Sequence, residues 1–170
     1  MLPIQILLLN LLTDTPMISI ATDNVDPEEL KSPKKYEVNE IISIAIILGL
    51  VSTVFDFLVF AIFFHAPQDV LRTNWFIASA LTELIFVFSI RTRFFFLKSV
   101  RPSWPILSLT AAIYALTLIL PYSAFGQRVF QFVPPTGKDM VLVLTLVAVY
   151  FVVSEAAKLM YYRWHKRQTA

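Results

Sequence analysis

Cysteine is absent from this 170-residue chain, glycine occurs only three times, and charged residues make up only 15%. Without cysteine there can be no disulfide, no thiolate metal site and no cysteine nucleophile. Three dispersed glycines exclude a glycine-rich phosphate loop. A soluble domain usually carries about 25% charged residues, whereas here hydrophobic residues make up 57% and the mean hydropathy is +0.69. The composition therefore argues against a soluble domain and predicts a membrane protein.

The charge of the chain is weakly basic, with a formal net charge of +2. Such a small excess of positive charge does not indicate a nucleic-acid partner, and we expect the chain to lie in a lipid bilayer. A secretory signal peptide is not expected, because no Lys or Arg precedes Lys31 and Asp14 interrupts the first apolar run. The two histidines, His65 and His165, have no second ligand at metal-binding spacing, so neither zinc binding nor Ser/His/Asp catalysis is expected.

Five apolar stretches approach or exceed the roughly 20 residues that cross about 30 Å of hydrocarbon. Backbone groups in lipid must pair within their own segment, so each stretch is expected to be a helix. The sequence therefore predicts an all-α membrane protein, a single domain over residues 1–170 that is a bundle of five transmembrane helices. The predicted spans are about 2–21, 41–64, 75–90, 105–125 and 140–162. Between them we expect a short surface helix that begins near Asp26, and a longer loop over residues 127–138.

The basic residues are distributed unevenly between the two sides of such a bundle. With five spans the connecting segments alternate sides, and 11 of the 14 Lys and Arg residues fall on one side. The other three are Arg72, Arg128 and Lys138. The excess of positive charge predicts a multi-pass protein of the plasma membrane, with the N-terminus outside and the C-terminus in the cytoplasm.

Ionisable groups inside a span are costly and are candidates for function. Asn10 and Asp14 lie four residues apart on one helix face, with Thr13 between them and Pro16 just beyond. Because Pro16 has no N–H, the carbonyl of Leu12 loses its helical partner, and we expect an unwound turn that presents several oxygen atoms together. Hard cations require such oxygen ligands. The alternative is a polar stripe that only joins helices.

Three other acids lie in the spans. Asp56 follows Ser52 and Thr53, and a bridge between helices is favoured over an ion route. Glu155 precedes Lys158 by three residues, so an intrahelical ion pair near the membrane interface is predicted. Glu83, in the third span, is considered below.

The segment LPIQILLLNLLTDTP at 2–16 resembles the sixth transmembrane helix of P-type cation-transporting ATPases. The family pattern is a proline, a glutamine two residues later, and then Asn-Leu-x-Thr-Asp. The resemblance implies that Asn10, Thr13 and Asp14 are cation ligands. Some pumps of the family place a carboxylate ligand in the eighth helix, which implies the same role for Glu83.

Further segments resemble the magnesium-transporting branch of these pumps. They are ATDNVD at 21–26, STVFDFLVFAIFF at 52–64, WFIASALTE at 75–83, SIRTR at 89–93 and LPYSAFG at 120–126. The resemblance covers nearly the whole chain, as helices six to ten of the pump. It implies Mg²⁺ as the transported ion, and ATP as a substrate only through domains outside these residues.

The sequence departs from the complete pump in what it does not contain. It has no Asp-Lys-Thr-Gly phosphorylation motif, no nucleotide or actuator domain, and no helices one to five. We therefore expect no ATP hydrolysis by this chain alone. The expected partner is the remainder of the pump, namely helices one to five and the cytoplasmic domains. The alternatives are a small autonomous membrane protein that regulates or assembles with a pump, and a non-functional gene fragment.

Overall fold

The computed structural model describes the backbone of residues 1–25 and 38–168, with side chains up to residue 164. The six α-helices of this part are α1 Pro3–Ser19, α2 Val38–Phe63, α3 Gln68–Ile90, α4 Trp104–Ile119, α5 Ala124–Phe130 and α6 Gly137–Gln168. Single 3₁₀ turns, Ile20–Thr22 and Leu120–Tyr122, follow α1 and α4. The surface helix predicted near Asp26 lies outside the described residues.

Five segments are long and apolar enough to cross a membrane. They are Pro3–Thr22, Val38–Phe63, Gln68–Ile90, Trp104–Tyr122 and Gly137–Trp164. The part of the chain that the structure describes contains no strand. The prediction of an all-α membrane protein with five spans is therefore confirmed.

Helix α3 is the centre of the bundle and packs against α1, α2, α4 and α6. In the most apolar 18 residues of its spanning segment 61% are buried, against 22% to 33% in the corresponding stretches of the other four. Small side chains at Ala78, Ser79 and Ala80 allow neighbouring helices to approach closely, as is usual for helix packing in lipid. Helix α3 is thus the most buried of the five spans, although the Glu83 side chain lies on an exposed part of it.

The unwound turn expected at Pro16 is not present, since α1 is a continuous helix from Pro3 to Ser19. Hydroxyl groups near the proline satisfy helix carbonyls. Thr15 Oγ1 donates to the Leu11 carbonyl at 3.0 Å, and Ser19 Oγ donates to the Pro16 carbonyl at 2.6 Å. These bonds go to Leu11 and Pro16, not to the Leu12 carbonyl that Pro16 leaves without its helical donor, so the helix continues although it loses one backbone hydrogen bond. The prediction of a broken helix was therefore wrong.

The segment expected to be a loop at 127–138 is helical at both of its ends. Residues up to Phe130 belong to α5, and α6 begins at Gly137. Helix α5 is started by the Ser123 side chain, which accepts a hydrogen bond from Gly126 N at 2.9 Å. A Cβ atom at position 126 would collide with the Leu120 carbonyl, so this tight turn requires glycine. The prediction missed these local capping signals.

Candidate cation site

Helix α1 has a buried face and an open face, and the candidate ligands are divided between them. The buried face comprises Gln5, Leu9, Leu12, Thr13, Pro16 and Ser19. Asn10 and Asp14 lie on the exposed side of the helix. The spacing of four residues does place these two side chains on one face, but that face is not covered by the described helices.

Thr13 and Glu83 meet where α1 packs against α3. The Thr13 hydroxyl donates to the Leu9 carbonyl at 3.1 Å and also lies beside the Glu83 carboxylate. Asp14 and Asp56 are the other two carboxylates near Glu83, and the Asp14 and Glu83 side chains are both exposed. The structure therefore brings Thr13, Asp14 and Glu83 into one neighbourhood, whereas it does not bring Asn10 to Glu83.

A cavity of about 240 Å³ with a partly polar lining lies between α1, α2 and α3, next to this neighbourhood. Its polar lining consists of Ser52, Asp56, Trp75, Ser79, Thr82 and Glu83. The Asp56 carboxylate accepts hydrogen bonds from the Trp75 indole at 3.1 Å and from the Ser79 hydroxyl at 3.4 Å. Asp56 thus bridges α2 and α3, the structural role that was favoured for it.

Within the described residues, no three or more His, Cys, Asp or Glu side chains are arranged to hold a metal ion. The oxygen atoms near Glu83 are of the type that Mg²⁺ or Ca²⁺ binds, namely carboxylates and hydroxyls. The carboxylates of Asp14 and Glu83 and the hydroxyl of Thr13 would supply only part of the coordination shell of such an ion. Any site here would need further ligands from water or from other helices.

An ion pair that the sequence analysis did not predict joins the end of α1 to the end of α3. Asp23 Oδ2 lies 2.6 Å from Arg91 Nε, and the two side chains are only 7% and 3% exposed. Asp23 Oδ1 accepts the backbone N–H of Ser103, the residue before α4, at 2.8 Å. Burial alone would raise the pKa of Asp23, but the hydrogen bonds from Arg91 and from the Ser103 and Asn24 N–H groups outweigh it and lower that pKa. Asp23 and Arg91 belong to the segments ATDNVD and SIRTR, which resemble the magnesium-transporting pumps. The sequence therefore pointed to these two segments, but it did not indicate that the two residues form an ion pair.

The predicted pair of Glu155 with Lys158 is confirmed, at 2.8 Å. It is also nearly fully buried, which the sequence did not indicate. Lys158 Nζ donates to the carbonyls of Ser89 and Phe94, each at 2.9 Å. Glu155 accepts from the Ser89 hydroxyl at 2.7 Å and from the Phe96 N–H at 2.9 Å. The pair therefore fastens α6 to the end of α3 and to the segment after it.

Comparison with known proteins gives one consistent family. Residues 1–160 match the family model described as "Cation transporting ATPase, C-terminus". The chain is 32% identical over 135 residues to the magnesium-transporting ATPase, P-type 1, of Escherichia coli K12, a match that covers 75% of the chain. Two magnesium-transporting ATPases of Salmonella typhimurium are 30% identical over 134 residues and 29% identical over 168 residues, covering 75% and 95% of the chain. The matched part is only 15% to 18% of each relative's length. The five spanning helices, the family match over residues 1–160 and these relatives agree: the chain belongs to the family of P-type cation-transporting ATPases, and it corresponds to their C-terminal membrane region.

Proposed function

We propose that this chain is the membrane portion of a magnesium pump, in which it supplies part of the intramembrane cation site and a scaffold of four further helices. The relatives reported above are magnesium-transporting ATPases, which supports Mg²⁺ as the ion. ATP would act through domains outside these residues. The partner is the remainder of the pump, in a plasma membrane with the N-terminus outside and the C-terminus in the cytoplasm.

The ligands that we propose are Asn10, Thr13 and Asp14 from α1 and Glu83 from α3. The observation that supports the proposal is that buried Thr13 lies beside the Glu83 carboxylate at the edge of the α1–α3 contact, with exposed Asp14 next to it and a cavity nearby. Mg²⁺ loses its water reluctantly, so a site with few protein ligands and several retained waters suits it. Asn10 and the exposed side of Asp14 face outward and are available to ligands from the helices of the rest of the pump.

The test replaces the matching region of the E. coli relative with this chain and measures Mg²⁺-stimulated ATPase activity against Mg²⁺ concentration. Asp14→Asn keeps the shape of the side chain but removes its charge. If Asp14 is a ligand, turnover or apparent Mg²⁺ affinity falls by about tenfold or more, since even residues that only support metal ligands cost this much. Asn10→Ala and Thr13→Ala each remove one neutral oxygen and reduce affinity less.

The matched control is Asp69→Asn in the first turn of α3, where the carboxylate is exposed and accepts only a local hydrogen bond from the Val70 N–H. This variant should retain the activity of the parent pump. If Asp14→Asn also retained the parent's rate and affinity, then Asp14 would be a structural group that joins helices, and the proposed site would be rejected.

A further inference from the structure

The two helices that carry the proposed ligands run in the same direction and end at the same end of the bundle. Asp23 follows Asp14 by nine residues, and Arg91 follows Glu83 by eight. At 1.5 Å per residue, the two charged groups lie about 14 Å and about 12 Å beyond the ligands along their helices. The Asp23–Arg91 contact therefore joins α1 and α3 at nearly equal distances from the proposed site.

Further hydrogen bonds fix the position of each of the two side chains in the Asp23–Arg91 contact. Besides Asp23, Arg91 donates to the Val100 carbonyl at 2.9 Å and to the Ser99 hydroxyl at 3.3 Å. Asp23 is fixed in turn by the Ser103 N–H at 2.8 Å. Charge-assisted hydrogen bonds between buried partners are short and directional. The bonds to Ser99 and Val100 hold Arg91 in place, so a sliding movement of α1 along α3 would have to break both bonds of Asp23, to Arg91 and to Ser103.

Apolar contacts alone resist such sliding poorly. In lipid no hydrophobic force acts between helices, and their association depends on close packing and on directional polar contacts. A slip of one helical turn would displace Glu83 from Thr13 by about 5.4 Å. That displacement is larger than any metal–oxygen bond, which is about 2.1 Å for Mg²⁺.

We propose that the Asp23–Arg91 ion pair sets the axial register between α1 and α3, and thereby the separation of Thr13 and Asp14 from Glu83. Asp23 and Arg91 are then positioning residues, which act on the cation through the helices. The inference rests on the proposed function for its effect on Mg²⁺, but the register itself does not depend on any cation.

The register is tested by cross-linking, for which a chain without cysteine is well suited. Thr13→Cys and Glu83→Cys are introduced together, and the rate of cross-linking by a short bifunctional maleimide is measured in the membrane without added Mg²⁺. Asp23→Asn keeps the shape of the side chain but removes its charge. It should slow the cross-linking reaction by about threefold or more, which is smaller than the roughly fivefold or larger effects that coupled sites usually have on each other. Asp23→Ala serves as a second variant that also removes the contact with Ser103.

The matched control is Glu40→Gln, which weakens another ion pair at the same end of the bundle. Glu40 at the start of α2 lies 3.2 Å from Arg93 and takes no part in the α1–α3 contact. It should leave the cross-linking rate unchanged. An unchanged rate in both Asp23 variants would overturn the inference.

A second measurement separates this inference from the proposed function. In the complete pump, Asp23→Asn should raise the Mg²⁺ concentration for half-maximal activity about fivefold, the lower end of typical couplings, with a maximal rate close to that of the parent. Slower cross-linking together with weaker Mg²⁺ affinity supports both proposals. Slower cross-linking with unchanged affinity supports the register and rejects Thr13, Asp14 and Glu83 as the cation site.

Discussion

At the scale of single residues, the two buried ion pairs of the described chain, Asp23–Arg91 and Glu155–Lys158, are both surrounded by hydrogen-bond partners. Lys158 is the clearest case, because its three donors are directed to Glu155 and to the carbonyls of Ser89 and Phe94. An ammonium group without such partners would cost several kcal/mol in this environment. The buried ion pair is therefore tolerated because all three donors of Lys158 have acceptors.

We predict that breaking this pair on one side is more harmful than removing both charges. Lys158→Met leaves the Glu155 carboxylate buried without its counter-charge, and should destabilise the bundle by about 3–5 kcal/mol. Lys158→Met combined with Glu155→Gln leaves no charge, while the amide can still accept from the Phe96 N–H. The double variant should therefore lose less. The midpoint of thermal unfolding in detergent measures both variants, and a double variant less stable than the single one would contradict the prediction.

At the scale of elements, α1 is fastened at both ends by polar contacts, in addition to Leu9 and Leu12, which pack in the hydrophobic core. At its start, the fully buried Gln5 donates to the Phe130 carbonyl at the end of α5, at 2.9 Å. At its other end, Asp23 binds Arg91 and the N–H of Ser103. The stretch between these anchors carries Asn10, Thr13 and Asp14, so the anchors determine where these three side chains lie.

The lowered pKa of Asp23 predicts how the second anchor responds to acid. Because the pKa is lower in the folded chain than its ordinary value of 3.8, the anchor contributes fully above that value and is lost as the pH falls through the folded pKa. Arg91 remains charged throughout. The parent should therefore exceed Asp23→Asn in unfolding temperature by a constant amount from about pH 7 to about pH 5, and by less below about pH 4. A difference that persisted or grew in acid would show that the charge of Asp23 is not responsible.

At the scale of the whole molecule, basic residues gather at one end of the bundle. Arg91 contacts the end of α1, Arg93 contacts the start of α2, and Lys158 contacts the end of α3, so all three lie at this end. The opposite end is formed where the start of α1 meets the end of α5, and where Thr73 of α3 accepts the Val133 N–H at 3.1 Å. The spatial separation agrees with the alternation that was inferred from the sequence.

From this separation we predict a topology that reporter fusions can test. A reporter fused after Arg93 should be found in the cytoplasm, and one fused after Lys138 outside, because cytoplasmic segments carry the excess of Lys and Arg. A fusion at residue 170 provides the control and should match the first. The same compartment for the fusions after Arg93 and Lys138 would contradict the arrangement of five spans.

The sequence by itself determined the fold class, the number of spans and the family. Long apolar stretches leave the backbone no partner in lipid except its own helix, so hydropathy is sufficient to predict five helices. The i,i+3 spacing of Glu155 and Lys158 predicted their pair, because residues three apart on a helix are neighbours whatever the tertiary structure. Six residue identities within 2–16 were sufficient for the resemblance to a pump helix.

Only the tertiary structure decided which polar groups meet between helices. Spacing placed Asn10, Thr13 and Asp14 close together on α1, but packing turned Thr13 toward Glu83 and left Asn10 exposed. The loss of one backbone hydrogen bond at Pro16 did not unwind the turn, so the helix continues where the local rule predicted a break. Asp23 and Arg91 are 68 residues apart in the chain. Their contact depends on how parallel helices align along their axes, and this alignment is a property of packed surfaces that the one-dimensional pattern of a single chain does not contain.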